Sequence, residues 1–173
     1  MIGSPGSGKS TLAIALAAAT GLPLIHLDRE YWQAGWVEPE RAEWTARATR
    51  LTEGSRWVID GNYASSLQQR LARATSVVWL DLPTRVCLHG AIRRKLRYRR
   101  GGRPDMAWGC PERLDAEYAK FLWYIITFRR RQRPEIARRL SAADVPVLHL
   151  TSTAARCCFL SRLSTGGLPV AMS

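Results

Sequence analysis

Four short apolar runs stand out along the 173-residue chain, at 23–27, 57–59, 77–80 and 147–150. Each is unbroken rather than alternating, as a parallel strand buried on both faces requires. Longer stretches with helical character separate them, at 10–19, 38–52, 65–74, 84 to about 99, 112 to about 131, and 154–163. Pro134 is expected to start or kink a continuation of the fifth. Strands alternating with helices predict an α/β fold, a parallel sheet with helices on both faces. The length suits one domain spanning 1–173, with no internal repeat and no low-complexity linker.

Three of the runs end in an aspartate: Asp28, Asp60 and Asp81. In open parallel sheets the ligand lies beyond the carboxyl ends of the strands, so all three are candidates to face one crevice. For Asp81, followed by Leu82 and Pro83, capping of the next helix is an equal alternative.

Ahead of the first helix, Gly3-Ser4-Pro5-Gly6-Ser7-Gly8-Lys9-Ser10 matches GxxxxGK[ST] at every fixed position. Glycines let such a loop curl until successive N–H groups face phosphate oxygens. Lys9 offers a compact charge to the β- and γ-phosphates, and the Ser10 hydroxyl is a ligand for Mg²⁺. With Thr11 next in line, residues 3–11 predict a site for ATP or GTP at the start of the helix. The motif calls for a feeding strand of about five residues, yet only Met1 and Ile2 precede Gly3. The first strand is therefore expected to be largely missing, leaving an apolar slot between its neighbours, and the native start is expected several residues upstream.

A nucleotide-bound Mg²⁺ needs a carboxylate from another strand end. Asp60 is preferred to Asp81, because Gly61 beside it leaves room for a ligand. Asp28 is placed to orient or deprotonate an acceptor hydroxyl. Arg93, Arg94, Lys95, Arg97, Arg99, Arg100 and Arg103 then form a run with no acid among them, leading through Gly101-Gly102. Such a run is a solvated helical face, a nucleic-acid patch, or a lid over 93–113 whose arginines, Arg94 and Arg97 foremost, neutralise charge on a transferred phosphoryl group. A second cluster, Arg129-Arg130-Arg131 with Arg133, reads only as surface charge.

Charge and cysteines narrow the class. The net charge of +12 suits anionic partners. Cys87, Cys110, Cys157 and Cys158 offer no CxxC pair, which points to reduced thiols in a cytoplasmic protein. The apolar stretch after Lys9 reads as a packed helix rather than a secretory signal, and 121–128 is too short to span a bilayer.

These residues resemble the DNA topology-modulation (FlaR-type) proteins, relatives of adenylate and shikimate kinases. The resemblance rests on Gly3 to Ser10, Ile25-His26-Leu27-Asp28, Ile59-Asp60-Gly61-Asn62-Tyr63 and Trp79-Leu80-Asp81-Leu82-Pro83. Its most specific pieces are Arg103-Pro104-Asp105-Met106 and Gly109-Cys110-Pro111-Glu112-Arg113-Leu114. It implies a P-loop NTPase fold with a five-stranded parallel sheet in the order 2-3-1-4-5. It also implies that Asp60-Gly61 opens an acceptor region and that Arg94 is a phosphate-binding lid arginine. Gly90 stands where another arginine is expected. The family name reflects a link to DNA topology and implies no particular acceptor.

Two functions fit. One is an ATP-dependent phosphotransferase, with Mg²⁺-ATP on Lys9, Ser10 and Asp60 and a small-molecule acceptor between Asp28, Arg70 and the segment near Tyr63. The other is a nucleotide-regulated DNA-binding protein that grips the phosphate backbone nonspecifically through its basic surface. A chain inactive for want of its central strand is a third reading.

Overall fold

The computed structural model describes residues 1–98, 103, 105–110 and 115–165. Calls made on Arg99, Arg100, Gly101, Gly102, Pro104 and 111–114 lie outside the described residues. Five strands and eight helices alternate among those described: β1 (Ile2–Gly3), α1 (Lys9–Thr20), β2 (Leu24–His26), α2 (Leu27–Tyr31), α3 (Arg41–Arg50), β3 (Val58–Asp60) and α4 (Ala64–Arg73). There follow β4 (Val77–Leu80), α5 (Thr84–Arg97), α6 (Ala116–Arg131), α7 (Arg133–Ser141), β5 (Val147–Leu150) and α8 (Thr153–Ser164). No helix among the described residues is long and apolar enough to cross a membrane.

The strands are parallel, in a three-stranded sheet ordered β1-β4-β5 and a two-stranded sheet of β2 and β3. Met1 bridges the two. Its amine donates to the Ile59 carbonyl at 2.5 Å, and its own carbonyl accepts from the Gly61 N–H at 3.2 Å. A cavity of about 280 Å³ is bordered by Met1, Leu16, Trp57, Val58 and Val78.

The apolar runs of β3 and β4 are buried on both faces, as expected, whereas β2 is half-buried throughout and His149 of β5 is exposed. In β4, Val78 and Leu80 pack with Leu12 and Leu16 of α1 and Phe159 and Leu163 of α8. Val77 and Trp79 point the other way, into Leu67 and Leu71 of α4, Phe128 of α6 and Ile136 of α7. Burial of side chains this size contributes about 1.5–3 kcal/mol each.

Several expected elements shift. The predicted strand 23–27 stops at His26, and Asp28 lies in the first turn of the short α2 rather than at a strand end. The predicted helix 38–52 begins only at Arg41, because Pro39 disfavours helical geometry at Glu38. Pro134 sits in the first turn of α7, where its missing N–H costs nothing, so it opens a separate helix.

The loop after β1 is packed backbone against backbone. A Cβ on Gly3 would lie 2.2 Å from the Leu80 carbonyl oxygen, and one on Gly6 2.0 Å from that of Cys87. A Cβ on Gly90, in α5, would lie 2.1 Å from the Gly6 oxygen. The arginine expected at 90 is thus excluded by steric contact. Gly→Ala in an uncrowded helix stabilises by about 1 kcal/mol. Gly90→Ala should do the reverse, lowering the unfolding free energy by about 1–3 kcal/mol in urea denaturation.

Candidate active site

The residues between β1 and α1 form an open coil of backbone with Gly6 and Gly8 at positive φ, 77° and 92°. Gly8 takes the N-cap position of α1 and so brings no side chain to cap it. The N–H groups of the first turn, from Lys9 through Thr11, are the donors that every helix start leaves over. Lys9 Nζ donates to the Ser4 carbonyl at 3.0 Å, so the lysine folds back over its own loop. The Gly3 N–H is held by Asn62 Oδ1 at 3.0 Å, and the Ser7 carbonyl by Arg156 Nη1 at 2.9 Å. Ser7 Oγ is buried with no hydrogen-bond partner.

Asp60, at the end of β3, is buried beside this loop. Its Oδ2 faces His26 Nδ1 at 3.1 Å, while its Oδ1 is buried and unpartnered. Burial alone would raise its pKa. The contact with His26, the Lys9 charge, the Ser10 hydroxyl and the Met1 amine outweigh that and hold it below the usual carboxylate value. Lys9 is shifted down from the ordinary lysine value, chiefly by burial, with Asp60 and Asp28 opposing the shift. Lys9, Ser10 and Asp60 therefore meet at one point. The space beside Gly61, expected to admit a ligand, is filled by Leu27, whose Cβ would lie 2.8 Å from an added one.

In front of Lys9 and Ser10 opens a cavity of about 1030 Å³, bordered by Asp28, Asp60, Tyr63, Arg94 and Arg103 among others. Asp28 Oδ1 accepts the Tyr63 hydroxyl at 2.9 Å. Tyr63 holds φ at 29°, a sparsely populated conformation that the surrounding contacts must maintain. Burial and the Asp28 charge raise the Tyr63 pKa, so the phenol stays protonated.

The arginine run divides. Arg94 borders the cavity, as does the buried Lys95, whose Nζ lies 4.3 Å from the Tyr118 ring centroid. Arg97 is exposed, outside the cavity and over the Tyr98 ring, so the lid role expected of it is not supplied by this arrangement. Helical twist does not explain the split, since positions 94 and 97 lie only about 60° apart around α5; Arg97 is the last residue of the helix, about 4.5 Å further along its axis. Arg70 is also redirected. It is buried and donates to the carbonyls of Gly61 (3.0 Å), Asn62 and Tyr63 (3.2 Å) and to Ser66 Oγ, bracing the 61–63 turn instead of lining the cavity. Asp81 is bound by Arg133 (2.8 Å), Arg129 (3.3 Å) and His149 (3.2 Å), which gives part of the second arginine cluster a structural task.

Sequence reasoning assigned no role to His26, Arg156 and Asp105. Arg103 grips Asp105 with two hydrogen bonds, Nε to Oδ1 at 3.1 Å and Nη2 to Oδ2 at 2.9 Å. Asp105 also lies near the Ser10 hydroxyl and Arg94. The 105–110 segment sits on the loop after α2: Gly35 N–H donates to the Gly109 carbonyl at 2.8 Å, and Cys110 Sγ to that of Gln33 at 3.2 Å. No family model, curated protein or solved structure matches the chain.

Burial would raise the Asp105 pKa, but the Arg103 contacts dominate and lower it from 3.8 to about 2. A carboxylate depressed on folding stabilises fully above its unfolded pKa and loses that contribution as pH falls through the folded one. Stability should therefore decline from about pH 4 to pH 2. Asp105→Asn should cost about 2 kcal/mol at neutral pH and flatten this acid limb in urea titrations. An unchanged limb would show that the pair carries no net stability.

Proposed function

We propose that this protein is an ATP-dependent phosphotransferase of the adenylate-kinase-like P-loop group, to which the resemblance to topology-modulation proteins also points. The two sheets, joined through Met1, are then read as one five-stranded sheet in the order 2-3-1-4-5. The observation that carries the proposal is the convergence of Lys9, Ser10 and Asp60 at the uncapped start of α1, with Asp60 Oδ1 buried and unpartnered.

An orphaned carboxylate oxygen close to a serine hydroxyl fits a hydrated Mg²⁺ carried in on a nucleotide. Ser10 would hold it directly and Asp60 through water. When bound, Mg²⁺ offsets charge on the β- and γ-phosphate oxygens. The chain's own residues supply the rest. The N–H groups of 6–11 cradle the phosphates, and Lys9 exchanges its bond with the Ser4 carbonyl for a phosphate oxygen. Arg94 and Arg103, which face the cavity, stabilise the charge on the group in transfer.

A specific observation favours this reading over a nucleotide-switched DNA binder. Two cations of the basic run, Lys95 and Arg103, are buried in the cavity wall instead of contributing to an open basic face. The test is calorimetric titration of ATP with and without Mg²⁺. Lys9→Met should weaken Mg²⁺-ATP binding tenfold or more, a loss of about 1.4 kcal/mol or greater. Asp60→Asn should remove most of the Mg²⁺ dependence while leaving metal-free binding in place. Equal affinity in wild type and Lys9→Met would reject the proposal.

A further inference from the structure

Asn62 ties the turn after β3 to the start of the glycine-rich loop. Its Oδ1 accepts the Gly3 N–H at 3.0 Å, and its main-chain carbonyl accepts from the buried Arg70 guanidinium. A backbone N–H can only donate, so the side-chain atom that meets Gly3 is the oxygen. A carboxamide holds its acceptor and its two donors at opposite ends of one plane, and the oxygen committed to Gly3 turns Nδ2 away from it. Asn62 borders the large cavity, where the Tyr124 hydroxyl lies close to its carboxamide. One phenol oxygen takes at most one of the two N–H donors, which leaves the other for a ligand.

The loop fixes where along a triphosphate that donor falls. Lys9 Nζ donates to the Ser4 carbonyl at 3.0 Å, so the ammonium and the Asn62 carboxamide are tethered to adjacent residues, Ser4 and Gly3. In a loop of this motif the backbone N–H groups hold the inner phosphates and the lysine reaches the outer ones. The terminal phosphate then lies at the Gly3–Ser4 end, within the part of the loop that Asn62 holds. Charge favours a carboxamide here. Asn62 stands two residues after Asp60, whose Oδ1 is buried and unpartnered. A lysine or arginine at 62 would pair with that carboxylate, whereas a neutral amide donates to phosphate and leaves Asp60 to the metal.

Resting on the phosphotransferase reading, we infer that Asn62 is the residue that tells nucleoside triphosphate from diphosphate. Its Oδ1 holds the loop through Gly3, and its Nδ2 donates to an oxygen of the γ-phosphate. The first contact serves both nucleotides equally. The second exists only with the triphosphate and is lost once the γ-phosphoryl group has gone.

The test is calorimetric titration of the full chain with Mg²⁺-ATP and with Mg²⁺-ADP, as wild type, Asn62→Ala and Asn62→Asp. Alanine removes both contacts. Aspartate keeps an acceptor for the Gly3 N–H but brings a negative charge to the γ-phosphate in place of a donor. The ratio of ATP to ADP affinity should fall about tenfold or more in each variant, and the retained ADP binding reports an intact loop. A ratio unchanged in both, or restored by aspartate, would reduce Asn62 to a brace for Gly3 and overturn the inference while the kinase reading stands. Nitrogen-15 NMR of wild type gives the same answer without a substitution. One Nδ2 proton of Asn62 should move downfield with Mg²⁺ and a non-hydrolysable ATP analogue and stay in place with ADP, and equal shifts with the two would overturn the inference. Wild type that binds neither nucleotide would overturn both it and the phosphotransferase reading.

Discussion

Close backbone packing around the glycine-rich loop at 3–8 is the constraint on which the rest depends. Gly3 lies against the Leu80 carbonyl, Gly6 against that of Cys87, and Gly90 against that of Gly6. No side chain fits between them. The loop is therefore wedged between the end of β4 and the first turns of α5, and its curvature is imposed by its neighbours as much as by its own glycines. Asn62 and Arg156 fix its two ends from distant parts of the chain. A loop held this way presents its N–H groups without reorganising, which is what electrostatic preorganisation requires.

From that fixed point the charges are set out in order. Asp60 stays ionised although buried, because His26, Lys9 and Ser10 surround it. Asp28 is steadied by a phenol that burial keeps protonated. Arg94, Lys95 and Arg103 border the same cavity as Lys9, while Arg70 braces the 61–63 turn from within the core.

Much of this was legible in the sequence. The α/β alternation, the parallel strands, of which β3 and β4 are buried on both faces, and the meeting of Lys9, Ser10 and Asp60 follow from unbroken apolar runs and one motif of fixed spacing. Gly90 could be noticed as an absent arginine, but its reason is a carbonyl 84 residues away in sequence. His26 and Arg156 carried no local signal, since their partners at 60 and 7 come together only through β2–β3 pairing and the docking of α8. Arg70 was misread because sequence shows that a guanidinium is near the site and not which way it points. Arg97 shares the helix face of Arg94, so its place outside the cavity could not be read from helical phase.

The most direct measurement is hydrogen–deuterium exchange of the 3–12 amides with and without Mg²⁺-ATP. If these N–H groups cradle the phosphates, amides from Gly6 through Thr11 should slow by tenfold or more on nucleotide addition, with little change in α3 or α8. Unchanged exchange in this segment at nucleotide concentrations that saturate binding elsewhere would contradict the account, because the phosphates would then not lie in the loop.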